Sequence, residues 1–202
     1  MIGAGPPEAS ARRGRGRKRG IPEEVARAVR LVVLDVDGVL TDAGVYVGEG
    51  ADGAPVEFKR FDIQDGLGLR LLRDAGLTVA FVSGRVSPAT TLRAKELGIE
   101  ELHQDPGAKK LPLVHGIMSR LGAEWHEVAI VADDLPDIPV MRKAGLPVAV
   151  RNAVPEVREA ALWTTRRKGG RGAVRDFARE LLLARGDWER VVNAYIEARS
   201  DG

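Results

Sequence analysis

Acidic side chains follow two apolar runs of the sequence. Asp35 and Asp37 close the run LVVLDVD (31–37), and Asp133 and Asp134 close the run VAIVADD (128–134). Each of these runs predicts a strand. Because the carboxyl ends of parallel strands form the ligand crevice of an open sheet, we expect these carboxylates to converge. Converging carboxylates repel one another, so their stable ionisation requires a bound cation. A set of hard oxygen ligands without soft ones favours Mg²⁺.

A third apolar run, TVAFVSG (78–84), ends in Ser83 and Gly84 and is followed by Arg85. A serine hydroxyl and the backbone amides of such a turn suit anionic oxygens, whose charge a lysine would neutralise. Two carboxylates at positions i and i+2, such as Asp35 and Asp37, suit a covalent mechanism in which one attacks and the other transfers a proton. Together these groups indicate phosphoryl transfer. Taken singly, each aspartate also fits the cap of a helix or a turn.

The elements that must position these groups alternate along the chain. From residue 21 onward, short apolar runs alternate with amphipathic segments, which predicts an α/β fold with a doubly wound parallel sheet. Residues 43–61 predict a β-hairpin, because two β-prone segments flank the turn sequence GEGADG. Asp65 is the expected N-cap of the helix that follows it. Further helices are expected over 21–30, 88–97, 110–121 and 138–144, from residue 155, and over 173–184, and further strands over 101–104, 147–150 and 162–165.

The chain is predicted to have three regions. Residues 1–20 hold six Lys or Arg and one Glu with no hydrophobic period, which predicts a disordered basic arm. Residues 21–186 form the predicted domain, and residues 187–202 form a C-terminal amphipathic segment. The whole chain has a net charge of +2, but the residues after the basic arm carry a small net negative charge.

The composition excludes several classes of function. Of the 202 residues, 44% are hydrophobic and 30% are charged, as in a globular protein. The chain has no cysteine, which excludes disulfides and thiolate chemistry, and its three histidines lack the spacing of a zinc site. Since no long apolar run occurs, we expect no membrane span, no secretory signal peptide and a cytoplasmic location. With 4% aromatic residues, nucleic-acid binding by base stacking is not expected.

Four sequence motifs occur in the order that is typical of the haloacid dehalogenase-like (HAD) phosphohydrolases. In that order, DVDGVLTD (35–42), VSG (82–84), Lys110 and ADDLPD (132–137) resemble motifs one to four. More narrowly, FDIQDGLGLRLL, SGR, KLP, DDLPDIPVM and GGRGAVR resemble the 3-deoxy-D-manno-octulosonate 8-phosphate phosphatase group, over about residues 28–185. The gaps between the motifs leave no room for a cap domain. The resemblance therefore implies a HAD-like Rossmannoid fold with a β-hairpin flap and no cap.

The resemblance also implies a mechanism. Asp35 would be the nucleophile that forms an aspartyl-phosphate, and Asp37 would protonate the leaving sugar oxygen and then activate water. Mg²⁺ would be held by the Asp35 side chain, the Asp37 backbone carbonyl and the Asp133 side chain. Asp134 would be a nearby or water-mediated partner of the ion, and Asp137 would orient the motif-four loop. The remaining roles implied are phosphate binding by Ser83, Gly84 and Lys110 and contact with a substrate carboxylate by Arg85.

The implied reaction is hydrolysis of 3-deoxy-D-manno-octulosonate 8-phosphate, a step of lipopolysaccharide biosynthesis. The same chemistry on a neuraminate-type 9-phosphate or another sugar phosphate stays open, because Asp62 and Gln64 stand where relatives often have Asn and a basic residue. A non-catalytic HAD-fold regulatory module is a further alternative. The resemblance implies a homotetramer in which the hairpin, carrying Tyr46, and the C-terminal region of neighbours close the active site.

Overall fold

A parallel sheet of six strands forms the centre of the computed structural model, which describes residues 20–200. Its strands are β1 (Leu31–Leu34), β4 (Thr78–Ser83), β5 (Glu101–Gln104), β6 (Val128–Ala132), β7 (Leu146–Ala149) and β8 (Trp163–Thr164), with β2 (Tyr46–Glu49) and β3 (Pro55–Phe58) forming a separate antiparallel hairpin. The sheet order is β5-β4-β1-β6-β7-β8, and all neighbouring strands are parallel. The predicted α/β fold with a hairpin is confirmed.

Two groups of helices pack around the sheet. The helices are α1 (Glu23–Ala28), α2 (Ile63–Asp74), α3 (Pro88–Glu96), α4 (Lys110–Leu121), α5 (Ile138–Met141), α6 (Pro155–Ala160), α7 (Ala173–Arg185) and α8 (Trp188–Glu197). Helices α1, α2 and α8 pack on α7, whereas α4 and α6 pack on α5. Every residue of β1 and β6 is buried, as expected of central parallel strands that are covered on both faces. Helices α1 and α5 are shorter than their sequence patterns predicted.

Strand β1 ends at Leu34, so the prediction that it continues through Asp37 was wrong. After Asp35 the chain turns, and Gly38 has a φ of +102°, which side chains with a Cβ rarely adopt. Strand β1 lies between β4 and β6 in the sheet. The chain passes from β1 to β4 through the hairpin and α2. The strand order therefore reverses at β1, and Asp35 and Asp37 lie on the loop at this reversal point, where open sheets bind ligands.

The predicted cap of α2 was also wrong by one helical turn. Asp62 is the N-cap, and its carboxylate accepts the backbone N–H of Gln64 at 2.8 Å. Asp65 is instead buried within α2, with 1% of its surface exposed, and accepts the backbone N–H of Arg175 at 2.8 Å. Burial raises the pKa of Asp65 to about 6, against the backbone hydrogen bonds that lower it. Asp65 thus joins α2 to the beginning of α7.

Two predictions on the ends of the chain have different outcomes. The basic arm lies outside the described residues, apart from Gly20. Helix α8 is present and packs on α2 and α7, through contacts that include the Trp188 ring under the guanidinium of Arg175. The division of the chain at residue 187 stays a prediction. Within residues 20–200, no helix combines the length and the apolar composition needed to cross a bilayer.

Replacing Asp65 tests the link between α2 and α7. We expect Asp65→Ala to lower the free energy of unfolding by about 1–3 kcal/mol, because the amide of Arg175 would lose its buried acceptor. Asp65→Asn keeps a carbonyl oxygen at the same place and should lose less. Urea unfolding followed by circular dichroism measures both, with the exposed Asp74→Asn as control. Equal stability of Asp65→Ala and the wild type would contradict the link.

Candidate active site

A cleft of about 410 Å³ opens where β1, β4 and β6 end. It brings together eight of the residues that the sequence predicted as site residues: Asp35, Asp37, Gly84, Arg85, Lys110, Asp133, Asp134 and Asp137. These residues come from separate segments of the chain, and the parallel order of the strands is what gathers them at one edge. The expected convergence of the strand ends is therefore seen in the structure.

Lys110 is buried between two carboxylates. It is the first residue of α4, and its ammonium donates to Asp35 Oδ1 at 2.5 Å and to Asp137 Oδ1 at 2.6 Å. Burial alone favours the neutral amine, but the charges of Asp35 and Asp137 outweigh it and raise the pKa of Lys110. Lys110 therefore stays charged and fixes one oxygen of Asp35.

Three carboxylates meet beside this lysine. Asp35, Asp133 and Asp137 each place an oxygen within 4.8 Å of the others. Burial, followed by the charges of Asp35 and Asp137, raises the pKa of Asp133 to about 8. Burial and the charge of Asp35 raise the pKa of Asp137 to about 6, although Lys110 acts in the opposite direction. One ammonium does not balance this concentration of negative charge.

The carboxylate cluster fits a hard divalent cation such as Mg²⁺. All of its ligand atoms are oxygens, and Asp133 Oδ1 is buried without a hydrogen-bond partner among residues 20–200. A cation there would satisfy this oxygen and offset the burial and the repulsion that together raise the pKa of Asp133. Asp134, in contrast, is exposed, and its carboxylate accepts the backbone N–H of Leu135 at 2.7 Å.

Asp37 faces the hairpin rather than the cluster. Its Oδ1 lies 2.6 Å from the ammonium of Lys59 and 3.8 Å from the guanidinium of Arg85. Arg85 also donates to Glu57 at 2.6 Å, so the arginine predicted to contact a substrate carboxylate already has a protein carboxylate as partner. Sequence reasoning missed Lys59 and Glu57. The charged residues of the segment VEFKRF were the available signal, but charges in a short hairpin are usually solvated.

Ser83 lies beneath the cleft instead of lining it. With 1% of its surface exposed, its hydroxyl donates to the backbone carbonyl of Arg85 at 3.0 Å and accepts the Arg85 N–H at 3.1 Å. The serine thus shapes the turn whose next residue, Gly84, lines the cleft. A Cβ on Gly84 would come within 3.0 Å of the Ala108 methyl group, so the absence of a side chain keeps this wall open.

The loop that carries Asp35 and Asp37 is braced from behind by a distant segment. Asn152 donates to the carbonyl of Gly38 at 3.3 Å and accepts the N–H of Gly169 at 2.7 Å, while the N–H of Gly170 donates to Val39 at 3.0 Å. A Cβ on Gly169 would overlap the Gly38 carbonyl. The glycines of GGRG therefore serve close backbone packing, and Asn152 is a further residue that sequence reasoning missed.

Comparisons with known proteins agree with this geometry. The sequence profile of a haloacid dehalogenase-like hydrolase family matches residues 104–176. The chain is 40% identical to a 3-deoxy-D-manno-octulosonate 8-phosphate phosphatase of Yersinia pestis over 159 residues, which cover 79% of this chain and 82% of the relative. It is 41% identical to the corresponding phosphatase of Escherichia coli K12 over 161 residues, or 80% of this chain and 83% of the relative.

A solved structure of similar sequence supports the same relationship. The chain is similar to the 3-deoxy-D-manno-octulosonate 8-phosphate phosphatase of Moraxella catarrhalis, solved with magnesium, phosphate and the sugar acid KDO. The TM-score is 0.78 and the identity 34%, and the match covers 86% of this chain and 97% of that one. Sequence and fold thus lead to the same relatives.

The raised pKa of Asp133 makes a prediction about stability. A folded-state pKa of about 8, above the unfolded value of 3.8, means that ionising Asp133 destabilises the fold as the pH rises through that window. In EDTA at pH 8, we expect Asp133→Asn to raise the free energy of unfolding by about 1–2 kcal/mol. Mg²⁺ should stabilise the wild type and not this variant. Urea unfolding with either additive measures both effects.

The exposed neighbour Asp134 supplies the matched control. Asp134→Asn removes a carboxylate from the same cleft without removing one from the buried cluster, so its effect in EDTA should stay within about 0.5 kcal/mol. An Asp133→Asn variant that is less stable than the wild type in EDTA at pH 8 would show that repulsion within the cluster is not the dominant effect.

Proposed function

The chain belongs to the family of 3-deoxy-D-manno-octulosonate 8-phosphate phosphatases, within the haloacid dehalogenase-like hydrolases, and we propose that it hydrolyses this phosphate monoester to the free sugar acid and phosphate. The observation that carries the proposal is the buried contact of Lys110 with Asp35, in a cleft that Asp37 also lines. A nucleophile, a proton carrier and a fixed positive charge are thereby within one cleft.

The proposed reaction has two displacement steps at phosphorus. In the first, a carboxylate oxygen of Asp35 forms a bond to phosphorus while the bond to the sugar oxygen breaks, and Asp37 donates its proton to that oxygen. In the second, a water oxygen bonds to phosphorus, the bond to Asp35 breaks, and Asp37 takes the proton of the water. The net change is the addition of one water across the phosphate ester bond.

Positive charge in the cleft offsets the negative charge of the reacting group. Lys110 is held between Asp35 and Asp137, so its ammonium is in place before the substrate binds. Asp137 also accepts the backbone N–H of Asp133 at 3.4 Å, and we assign it the role of orienting both residues. The turn of Ser83 and Gly84 forms the wall that would receive the phosphoryl oxygens.

The carboxylates of Asp35 and Asp133 and the backbone carbonyl of Asp37 would hold Mg²⁺. When bound, the ion supplies positive charge against the phosphoryl oxygens and relieves the repulsion within the cluster. Asp134, at the rim of the cleft, would assist from a greater distance. The unpartnered oxygen of Asp133 supports this assignment.

Substrate, assembly and location extend the proposal further. Arg85 would contact the carboxylate of the sugar acid, and a neuraminate-type 9-phosphate or another sugar phosphate is the alternative substrate. A homotetramer would cover the open side of the cleft, and the exposed side chains of Tyr46, Val47 and Phe58 on the hairpin favour such burial. We place the enzyme in the cytoplasm. A solely regulatory module would not require Lys110 to be buried among carboxylates.

Phosphate release from a panel of sugar phosphates tests the activity. With Mg²⁺, we expect 3-deoxy-D-manno-octulosonate 8-phosphate to be hydrolysed with a higher kcat/KM than N-acetylneuraminate 9-phosphate or glucose 6-phosphate, and EDTA should abolish turnover. Asp35→Asn should lower kcat by roughly 10³-fold or more while the fold stays intact, because the amide is a poor nucleophile. Asp74→Asn, an exposed change of the same kind, should retain activity.

The outcomes separate chemistry from substrate. Activity on the panel without preference for the eight-carbon sugar acid would retain the phosphatase and reject this substrate. Substantial activity of Asp35→Asn would reject the nucleophile, and no activity on any phosphate ester would leave the regulatory module as the better explanation.

Replacing Arg85 tests recognition of the substrate carboxylate. We expect Arg85→Lys, which loses the paired N–H donors, to raise KM for the sugar-acid phosphate by about tenfold, equivalent to about 1.4 kcal/mol. KM for glucose 6-phosphate, which has no carboxylate, should not change. The exposed Arg142→Ala is the control. An equal rise of KM for both substrates would mean that Arg85 acts on the phosphate or on the fold.

A further inference from the structure

Lys59 is a buried lysine that the reaction described above does not use. It follows β3 of the hairpin directly, and only 1% of its side chain is exposed. Its ammonium lies 2.6 Å from Asp37 Oδ1, donates to the Thr90 hydroxyl at 3.3 Å, and is 3.9 Å from Glu57. Removing an ammonium from water costs several kcal/mol unless close partners compensate, and Asp37 is the closest carboxylate.

Docking of the hairpin does not by itself account for this contact. Glu57, on the same hairpin, accepts hydrogen bonds from the Ser87 hydroxyl at 2.7 Å and from the Arg85 guanidinium at 2.6 Å. These bonds already join β3 to the segment that follows β4. The ammonium of Lys59 instead lies closer to Asp37 than to Glu57, and Asp37 is the residue to which the proposed reaction assigns proton transfer.

The contact makes the two oxygens of Asp37 different. Oδ1 faces Lys59 and, farther away, Arg85, both of which are hydrogen-bond donors. Oδ2 is buried and has no hydrogen-bond partner in the part of the chain that the structure describes. The ion pair therefore fixes one oxygen of Asp37, and with it the orientation of a carboxyl group that lines the cleft.

We propose that Lys59 is a positioning residue, which holds the Asp37 carboxyl group by Oδ1 in the orientation that proton transfer requires. This proposal rests on the proposed phosphatase function and adds a residue to it. In the first step, Asp37 held in this way gives its proton to the leaving sugar oxygen as the bond between phosphorus and that oxygen breaks. In the second step, Asp37 takes a proton from the water that bonds to phosphorus.

The leaving group decides how much the first step depends on Lys59. A sugar alkoxide must be protonated as it leaves, whereas p-nitrophenolate leaves as the anion near neutral pH. The second step needs Asp37 with either substrate. Loss of the positioning contact should therefore slow both steps with a sugar phosphate, but only the second step with p-nitrophenyl phosphate.

The experiment is rapid-quench and stopped-flow kinetics of Lys59→Met with Mg²⁺ present. With 3-deoxy-D-manno-octulosonate 8-phosphate, we expect kcat to fall by roughly 10- to 100-fold, because positioned proton transfer contributes at least that much. With p-nitrophenyl phosphate, the first turnover should keep its wild-type rate and steady-state turnover should fall. The variant should release a burst of one nitrophenolate per active subunit, and acid quenching should trap phosphate on the protein.

Two controls distinguish positioning from support of the fold. Lys95→Met, which removes an exposed lysine of α3, should match the wild type with both substrates. The double variant Lys59→Met with Asp37→Asn should be no slower than Asp37→Asn alone, because both changes remove the same function. If Lys59→Met does not fold, Lys59→Gln keeps a polar group near Thr90 and takes its place.

The outcomes are separable from those for the function itself. If the wild-type protein hydrolyses neither substrate, the proposed function itself is rejected. If the wild type is active, a Lys59 variant with unchanged kcat, with an equal loss of the first-turnover rate for both substrates, or with losses that add to those of Asp37→Asn rejects the positioning role.

Discussion

Mutual repulsion among Asp35, Asp133 and Asp137 is the constraint that the surrounding structure must accommodate. Their oxygens lie within 4.8 Å of one another in a largely buried pocket, where burial weakens the solvent screening that separates such charges at a surface. Lys110 contacts two of the three and is itself charged because of them. The cluster keeps an excess of negative charge, which gives the cleft its affinity for a divalent cation and hence its capacity to receive a phosphate.

A site of this kind needs a rigid frame, because each carboxylate would move away from the others if its backbone allowed it. The frame is the centre of the parallel sheet, where Asp35 and Asp133 directly follow the buried strands β1 and β6. Gly38 allows the first loop to turn close to Asp133, where a Cβ would overlap the carboxylate. Asn152 and the glycine segment behind this loop fix its backbone. Burial of apolar side chains in the sheet thus supplies the free energy of folding that offsets the electrostatic cost of the carboxylate cluster.

Sequence reasoning predicted the features that local residue patterns determine and missed the contacts that depend on residues distant in the chain. The alternation of apolar runs and amphipathic segments placed α4 at Lys110 and set the order of the acidic strand ends. Asp65 was predicted as the N-cap of α2, whereas Asp62 is the N-cap and Asp65 accepts the backbone N–H of Arg175, which is distant in the chain. Lys59 has no local signature, because only the folded hairpin brings it to Asp37.

The two aspartates of the first motif take their positive partners from different parts of the molecule. The partner of Asp35 is Lys110, at the beginning of a helix that packs on the central sheet. The partner of Asp37 is Lys59, on a hairpin whose strands form a separate sheet. The proposed nucleophile and the proposed proton carrier are thus positioned by different elements of the fold. The same hairpin also brings Glu57 to Arg85, the residue proposed to contact the carboxylate of the sugar acid.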